Sequence, residues 1–284
     1  MKDLDRMIEV NSEQARFYDS ISTEDDKKEQ TGYATHERAN LLTRIWASLR
    51  YRQQEAFTES GLEEIKNKFH QHWIDTKSQG TFLELGCFRG TRSSWPLIEA
   101  SGKYVGIDLS ANAVDVLNKK IENAGLSHKA EAVPMDFLVM EDDSKYDLIF
   151  AHGVLHHFEN PEPLFNKISK ILKKDGILIL TEPSQVNGLY KFIRSLYRPF
   201  QSDSAWEWPF TKNTISVMES YLRPIDGFGW GKYSLTISVF NGVPLLNKII
   251  KPLYIKTLKG EISDGWNENT WYNSTITAVY EKKS

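Results

Sequence analysis

A glycine-containing turn after the first strand-like run carries the residues best suited to bind a ligand. The run TFLEL contains Glu84 and leads directly into Gly86 and Gly90. In an open α/β sheet, cofactors bind in the crevice beyond the C-terminal ends of the strands. A dinucleotide fingerprint places its second and third glycines where this chain has Phe88 and Thr91. Because the Glu84 carboxylate repels a diphosphate and attracts a cation, the turn favours a positively charged ligand.

Three histidines and one glutamate follow later strand-like runs and could move a proton. His152, His156 and His157 lie close together after the run YDLIFA, in a chain with 7 histidines, and Glu182 follows the run ILILT. A neutral histidine is suited to act as a general base near pH 7, and Glu182 is a second candidate for a base or an acceptor-binding group. The alternatives are packed or hydrogen-bonded histidines and a turn glutamate. Since no second ligand cluster has metal-site spacing, we expect no metal site.

A parallel sheet would bring these side chains together, and the middle of the chain has the pattern of one. Short apolar runs alternate there with helical patterns, which is typical of α/β folds. The strand-like runs lie at 81–85, 103–108, 130–134, 146–151 and 177–181. Ser110 and Asn160 are suitable N-caps for two of the intervening helices.

The flanking parts of the chain have different patterns. The run HERANLLTRIWASLRYR places its apolar residues on one helical face. A helix is predicted at 211–222, and the runs YSLTISVF and STITAVYE are predicted strands, with 184–225 and 241–271 as inserted segments. The predicted organisation is a helical segment at 1–80, an α/β core at 81–183, and cap insertions with the last strands of the sheet at 184–284.

The turn ELGCFRG resembles motif I of the class I S-adenosylmethionine-dependent methyltransferases, which has the pattern acid-x-Gly-x-Gly-x-Gly. Phe88 departs from this pattern at the middle glycine. The runs YVGIDLS and Asp136-Phe137, and the segment from YDLIFA to ILILTEP, are similar to the later motifs of the family in the same order. The resemblance covers 81–182 and implies a Rossmann-like, seven-stranded, mostly parallel sheet with N-terminal helices and C-terminal inserted cap segments. It also implies S-adenosylmethionine as the cofactor.

The resemblance assigns roles to individual residues. Asp108 ends the second strand-like run, where the family's acid accepts hydrogen bonds from the ribose hydroxyls, and a carboxylate there is a suitable acceptor for a diol. Asp136 and Phe137 match the position that contacts the adenine. The implied cofactor contacts are Glu84, Gly86, Cys87, Gly90, Asp108, Leu109, Asp136, Phe137 and His152. The predicted acceptor-side residues are His156, His157 and Glu182.

Composition and charge exclude several classes of protein. The chain has 284 residues, 40% of them hydrophobic and 26% charged, as in ordinary globular proteins. With 35 basic and 38 acidic residues the net charge is −3, which argues against nucleic acid as a partner. The single cysteine cannot form an internal disulfide, the start has no secretion-signal pattern, and no apolar run could span a membrane. We therefore expect a cytoplasmic protein.

The acceptor is the least defined part of the prediction. The Leu-His-His-Phe run resembles small-molecule methyltransferases, so we expect transfer to an oxygen or nitrogen of a small, partly apolar metabolite. Tyr18 and Tyr33 resemble aromatic residues that fold over the cofactor in such enzymes. An apolar acceptor wall is predicted from Trp206, Trp208, Trp230, Trp266 and Trp271.

Two alternatives remain open at this point. One is a lipid-like, quinone or sugar acceptor at a membrane surface, since FNGVPLLNKIIKPLYIKTLKG is both apolar and basic. The other is an inactive binding protein of the same fold, in which Phe88 blocks the cofactor crevice. A nicotinamide-dependent oxidoreductase is disfavoured by the same turn that disfavours a diphosphate. The sequence indicates no oligomeric state.

Overall fold

A seven-stranded sheet forms the centre of the structure, in the order β3-β2-β1-β4-β5-β7-β6. The computed structural model describes residues 2–22, 57–90, 93–141, 145–198, 204–238, 240 and 247–283. The strands are β1 (Thr81–Leu85), β2 (Lys103–Asp108), β3 (Ala130–Pro134), β4 (Tyr146–His152), β5 (Leu172–Pro183), β6 (Leu222–Trp230) and β7 (Thr275–Lys282). Strands β1 to β5 pair in parallel, and β7 is antiparallel to both β5 and β6. The predicted mostly parallel, Rossmann-like sheet is therefore confirmed.

Helices cover the sheet and its C-terminal edge. They are α1 (Lys2–Ser22), α2 (Leu62–Asp75), α3 (Ser94–Ala100), α4 (Ala111–Asn123), α5 (Pro161–Ile171), α6 (Gly188–Tyr197), α7 (Lys212–Tyr221), α8 (Ser234–Ser238) and α9 (Asn247–Ser263). As predicted, Ser110 caps α4 by accepting the Ala113 N–H at 3.2 Å, and Asn160 caps α5 by accepting the Glu162 N–H at 3.1 Å. None of the described helices is long and apolar enough to cross a membrane.

The two faces of the sheet bury different sets of side chains, because successive residues of a strand point to opposite faces. On β1, Leu83 and Leu85 pack in one core with residues of α5 and α7. Phe82 packs in the other core with residues of α2, α3 and α4. Glu84 shares the face of Phe82, so its carboxylate enters the second core from the end of the strand.

The last part of the sheet differs from the prediction. YSLTISVF is not a strand, because α8 occupies Ser234–Ser238 within it. The buried Glu261 carboxylate accepts the N–H groups of Gly231 and Ser234 at 2.8 and 2.9 Å, and so stabilises the start of this helix. The strand that pairs with β7 is instead β6, which lies partly in the predicted insertion 184–225. The predicted helix in HERANLLTRIWASLRYR lies outside the described residues.

The strand order reverses between β1 and β4, which lie side by side at the centre of the sheet. Cofactors bind at such a switch point, beyond the carboxyl ends of the strands. Four of the predicted site residues lie at the C-terminal ends of strands. Asp108 and His152 are the last residues of β2 and β4, and Glu84 and Glu182 are the last residues but one of β1 and β5. The topology therefore brings all four to one edge of the sheet, as the sequence predicted.

Candidate functional site

The turn after β1 has a backbone that requires small residues at two positions. Gly86 has φ 71° and Gly90 has φ 77°, in the left-handed region that favours glycine. A Cβ atom on Gly86 would lie 2.8 Å from Val154 Cγ2, and one on Gly90 would lie 2.6 Å from Leu117 Cδ1. Phe88, at the middle glycine position of the motif, also has a positive φ of 44°. The turn thus keeps its glycine-type backbone although the residue is phenylalanine.

Asp108 ties this turn to the end of β2. Its Oδ2 accepts the Phe88 N–H and its Oδ1 accepts the Ser110 N–H, each at 2.9 Å. The side chain is half-buried, and burial raises the pKa of Asp108 despite these hydrogen bonds. A carboxylate has about four lone-pair positions, so Asp108 retains the capacity to accept hydrogen bonds from a ligand. Leu109, beside it, is also partly exposed.

Asp136 lies after β3 and is held by two hydrogen bonds. Its Oδ1 accepts the Leu138 N–H at 2.9 Å, and its Oδ2 accepts from Asn11 Nδ2 at 2.8 Å. The Phe137 ring is buried in the core, with its centroid 6.4 Å from that of Phe158. The Asp136 carboxylate thus lies at the edge of the crevice, whereas the Phe137 ring points into the protein.

Glu84 and Cys87 are buried beneath the turn. The Glu84 carboxylate accepts the Tyr104 hydroxyl at 2.5 Å and the Ser94 hydroxyl at 2.9 Å. Burial raises the pKa of Glu84 to about 7, and the two hydroxyls oppose that shift. The Cys87 side chain is buried next to Gly106, and burial raises the pKa of its thiol. Glu84 therefore lies beneath the turn, with each carboxylate oxygen bonded to a hydroxyl group of the protein.

Replacing Tyr104 with phenylalanine should destabilise the protein more at about pH 8 than at about pH 5.5. A folded-state pKa above the unfolded value means that stability falls as pH rises between about 4.5 and 7, where Glu84 must ionise in the core. Removing the Tyr104 hydroxyl takes away a hydrogen bond that stabilises the ionised form, at a cost of about 1.5–3 kcal/mol. Urea unfolding of both proteins at the two pH values measures this. Equal destabilisation at both would contradict the role assigned to Glu84.

Glu182 organises the short helical turn Leu155–His157 that follows β4. It is fully buried, and its Oε1 accepts the N–H groups of Val154 and Leu155 at 3.0 and 2.8 Å. Its Oε2 lies 2.6 Å from His156 Nδ1. Burial raises the pKa of Glu182 to about 7, against the opposing effect of the backbone N–H groups. Glu182 therefore orients His156 and does not present a free carboxylate to an acceptor.

A segment of the cap closes over the two adjacent histidines. The backbone N–H of Trp208 donates to the His156 carbonyl oxygen at 2.6 Å, and His157 Nδ1 lies 3.0 Å from the Trp206 carbonyl oxygen. Glu207 Oε1 lies 4.0 Å from His156 Nε2, and the other Glu207 oxygen forms a buried ion pair with Arg194 of α6. Glu207 and Arg194 were not predicted. The only signal for them in the sequence is an acid between two tryptophans within an insertion.

His152 lies on the wall of the crevice above α2. The residue keeps solvent-exposed surface, and desolvation of its ring, with the nearby Lys66 and His70, lowers the pKa of His152. The ring centroid lies 6.2 Å from that of His70. His70 Nε2 lies 2.8 Å from Thr277 Oγ1 and 3.2 Å from Thr181 Oγ1, and burial lowers its pKa to about 3. His70 is therefore uncharged near neutral pH and fixes one side of the crevice.

Helix α1 lies across the opening of the crevice. Beyond the Asn11 contact with Asp136, Asp19 Oδ1 accepts the Ser110 hydroxyl at 2.6 Å. The Tyr18 ring is 6.4 Å from Phe88 and 6.1 Å from His157, measured between centroids. The Phe17 ring lies 5.3 Å from Trp206. Tyr18 thus lies between the cofactor turn and the histidines, whereas Tyr33 lies outside the described residues.

Two further expectations concern tryptophans and metal ions. The tryptophans at 230, 266 and 271 do not line the crevice, because Trp230 packs in the core under α9, and Trp266 and Trp271 pack against Tyr280 and Phe210. They cover the sheet where β6 and β7 complete it. Within the described ranges, no group of three or more histidine, cysteine, aspartate or glutamate side chains is placed to hold a metal ion.

Comparison with known proteins identifies the family. The family described as "Methyltransferase domain" matches residues 76–219, just over half of the chain. A ubiquinone biosynthesis O-methyltransferase of Glaesserella parasuis is 27% identical over 137 residues, which cover 45% of this chain and 58% of that protein. A sterol 4-C-methyltransferase of Caenorhabditis elegans is 24% identical over 146 residues, covering 50% of this chain and 43% of that protein. The matched regions thus span 58% and 43% of these two relatives, less than two thirds of either.

The fold is also found among solved structures. The geranyl diphosphate C-methyltransferase of Streptomyces coelicolor, in complex with Mg²⁺, geranyl diphosphate and S-adenosyl-L-homocysteine, superposes with a TM-score of 0.57 at 14% identity. The superposition covers 96% of this chain and 98% of that one. At this identity the likeness establishes the fold, and the family match covers β1 to β5, the turn after β1, and the histidines at 152, 156 and 157. The chain therefore belongs to the family of methyltransferase domains.

Proposed function

We propose that the chain transfers a methyl group from S-adenosylmethionine to an oxygen or nitrogen atom of a small, partly apolar acceptor. The observation that carries this proposal is the pairing of Glu182 with His156 at 2.6 Å, beside a crevice bordered by Asp108 and Asp136. The pair provides a positioned base, and the crevice provides acceptors for a nucleoside. Family membership supports the reaction class.

The residues of the crevice fit the proposed cofactor. Asp108 is partly exposed and retains lone pairs for two ribose hydroxyls, and Asp136 would accept the amino group of the adenine. The carboxylates of Asp19, Asp108 and Asp136, with Glu84 beneath them, favour a cationic ligand over a diphosphate. When bound, S-adenosylmethionine supplies an electrophilic methyl group on a positively charged sulfur.

His156 is the base in this proposal. In this proposal Glu182 accepts the hydrogen of His156 Nδ1, and the other ring nitrogen, Nε2, takes the proton of an acceptor hydroxyl. General-base catalysis of this kind contributes about 10²–10⁴-fold to a rate. His157 has a different environment, since its Nδ1 faces the Trp206 carbonyl. We therefore assign to His157 the positioning of the cap rather than proton transfer.

The surroundings of the histidines support a partly apolar acceptor. The rings of Phe17, Tyr18, Phe88 and Trp206 lie around the His157 side of the crevice. Ligand pockets of this kind combine apolar walls with a few oriented polar groups. The names of two relatives refer to a quinone and a sterol. An aromatic or otherwise apolar acceptor with a hydroxyl group fits this site, because the hydroxyl can give its proton to His156 and the apolar part can pack against these rings.

A methyl-transfer screen tests the proposal. Purified protein is incubated with methyl-labelled S-adenosylmethionine and with phenols, catechols, primary amines and carboxylic acids matched in size. We expect label on the oxygen of the apolar phenols, with release of S-adenosylhomocysteine, and weaker transfer to amines. Transfer to none of these acceptors by protein that binds S-adenosylhomocysteine would contradict the proposed reaction and favour a binding protein.

A further inference from the structure

Helix α6 carries a stripe of large apolar side chains that are more than half exposed in the described part of the chain. Leu189, Phe192 and Leu196 are 51%, 60% and 60% exposed. Their spacing of three and four residues places them on one side of the helix. The other side is buried, where Tyr190 accepts a hydrogen bond from Arg194 at 3.3 Å. One side of the helix therefore packs against the protein, and the opposite side presents the apolar stripe.

The charge of this helix points to a negatively charged surface. Between Gly188 and Arg198 the chain has three basic residues, Lys191, Arg194 and Arg198, and no acidic one, although its net charge is −3. Arg194 forms the buried pair with Glu207, and Arg198 donates to the Glu207 carbonyl oxygen at 2.9 Å, whereas Lys191 is exposed next to Phe192. An exposed apolar stripe on a basic helix, here with the Lys191 ammonium beside it, is the pattern by which helices bind the surface of anionic bilayers.

The same helix borders the acceptor side of the site. Its buried Arg194 pairs with Glu207, which lies 4.0 Å from the ring nitrogen of His156. The apolar stripe and the proposed base are thus linked through one helix and one ion pair. If α6 binds a bilayer, the acceptor side of the crevice lies close to the lipid.

We propose that α6 inserts its stripe, Leu189, Phe192 and Leu196, into the headgroup region of an anionic lipid bilayer, from which the acceptor is drawn. The statement about the acceptor rests on the proposed function, whereas binding to the bilayer does not. This surface differs from the lysine-containing stretch at 240–260, where Lys251 is paired with Glu59 at 2.6 Å.

Sedimentation with vesicles tests the proposal. We expect the wild-type protein to bind vesicles of phosphatidylcholine with phosphatidylglycerol, and to bind pure phosphatidylcholine vesicles several-fold more weakly. The double variant Phe192→Gln/Leu196→Gln should bind the anionic vesicles at least tenfold more weakly. Ile65→Gln is the matched control, because Ile65 is an exposed apolar residue of another helix, at 36% exposure, and it should bind like the wild type.

The outcomes separate this proposal from the proposed function. Absence of wild-type binding to either vesicle, or equal binding by the double variant, would overturn the bilayer surface. The proposal would also be overturned if the wild type were an oligomer in solution, the double variant were a monomer, and neither bound vesicles. The stripe would then be a contact between copies of the chain. Titration of each protein with S-adenosylhomocysteine reports on the cofactor site alone. Its failure would remove the proposed reaction and leave the vesicle result unchanged.

Discussion

Replacing His156 with glutamine is expected to lower the rate of methyl transfer by about 10²–10⁴-fold and to leave the affinity for S-adenosylhomocysteine unchanged. Glutamine fills a similar volume and can still donate to Glu182, but it has no basic nitrogen to take the proton of an acceptor hydroxyl. The Glu182 carboxylate keeps its backbone partners, Val154 and Leu155, so the turn after β4 should stay in place. Single-turnover kinetics with a phenolic acceptor measures the effect.

His157→Gln is the matched control for this experiment. Both residues lie in the same short turn, and their ring centroids are 4.3 Å apart. Because His157 bonds a carbonyl oxygen and not a carboxylate, we expect its replacement to change the rate by less than about tenfold. A larger loss for His157→Gln than for His156→Gln would reverse the assignment of the base. Equal, small effects of both would show that positioning alone carries the reaction.

Replacing Asp108 with alanine is expected to weaken binding of S-adenosylhomocysteine by about a hundredfold or more. A hydrogen bond to a charged group contributes about 1.5–3 kcal/mol, and two ribose hydroxyls would each lose one, while 1.4 kcal/mol corresponds to about tenfold in affinity. Asp108 also accepts the N–H groups of Phe88 and Ser110, so the shape of the turn would loosen as well. Calorimetric titration gives the change in Kd.

Two further variants make the result specific. Asp108→Asn keeps the size of the side chain and one acceptor oxygen, so it should weaken binding less than the alanine. Asp115→Asn removes the same charge from an exposed position of α4 and should bind like the wild type. Unchanged affinity in a folded Asp108→Ala protein would remove the ribose assignment.

Periodicity and capping residues suffice to predict the core of the fold. β1 to β5 occur where apolar runs alternate with helical patterns, and Ser110 and Asn160 cap the helices that follow. β6 was missed because RPIDGFGW contains a proline and two glycines, which have low strand propensity. Its place at the sheet edge depends on pairing with β7, a contact between distant parts of the chain.

The sequence suggests which residues lie near the candidate site, and their roles stay predictions, but it does not give the contacts among them. The sequence brings Asp108, His156 and Glu182 to one edge, since parallel strands end together. It does not distinguish His156 from His157, because the distinction arises from a carboxylate 26 residues away. Arg194 and Glu207 were missed for the same reason, since a buried ion pair between a helix and a later loop leaves no periodic pattern.

Calorimetric titration of the wild-type protein with S-adenosylhomocysteine tests the central claim most directly. The account predicts saturable one-to-one binding that S-adenosylmethionine competes for, and no binding of NADH at the same site, because the acids of the crevice repel a diphosphate. A folded protein that gives no heat with S-adenosylhomocysteine, or that binds NADH in its place, would contradict the account.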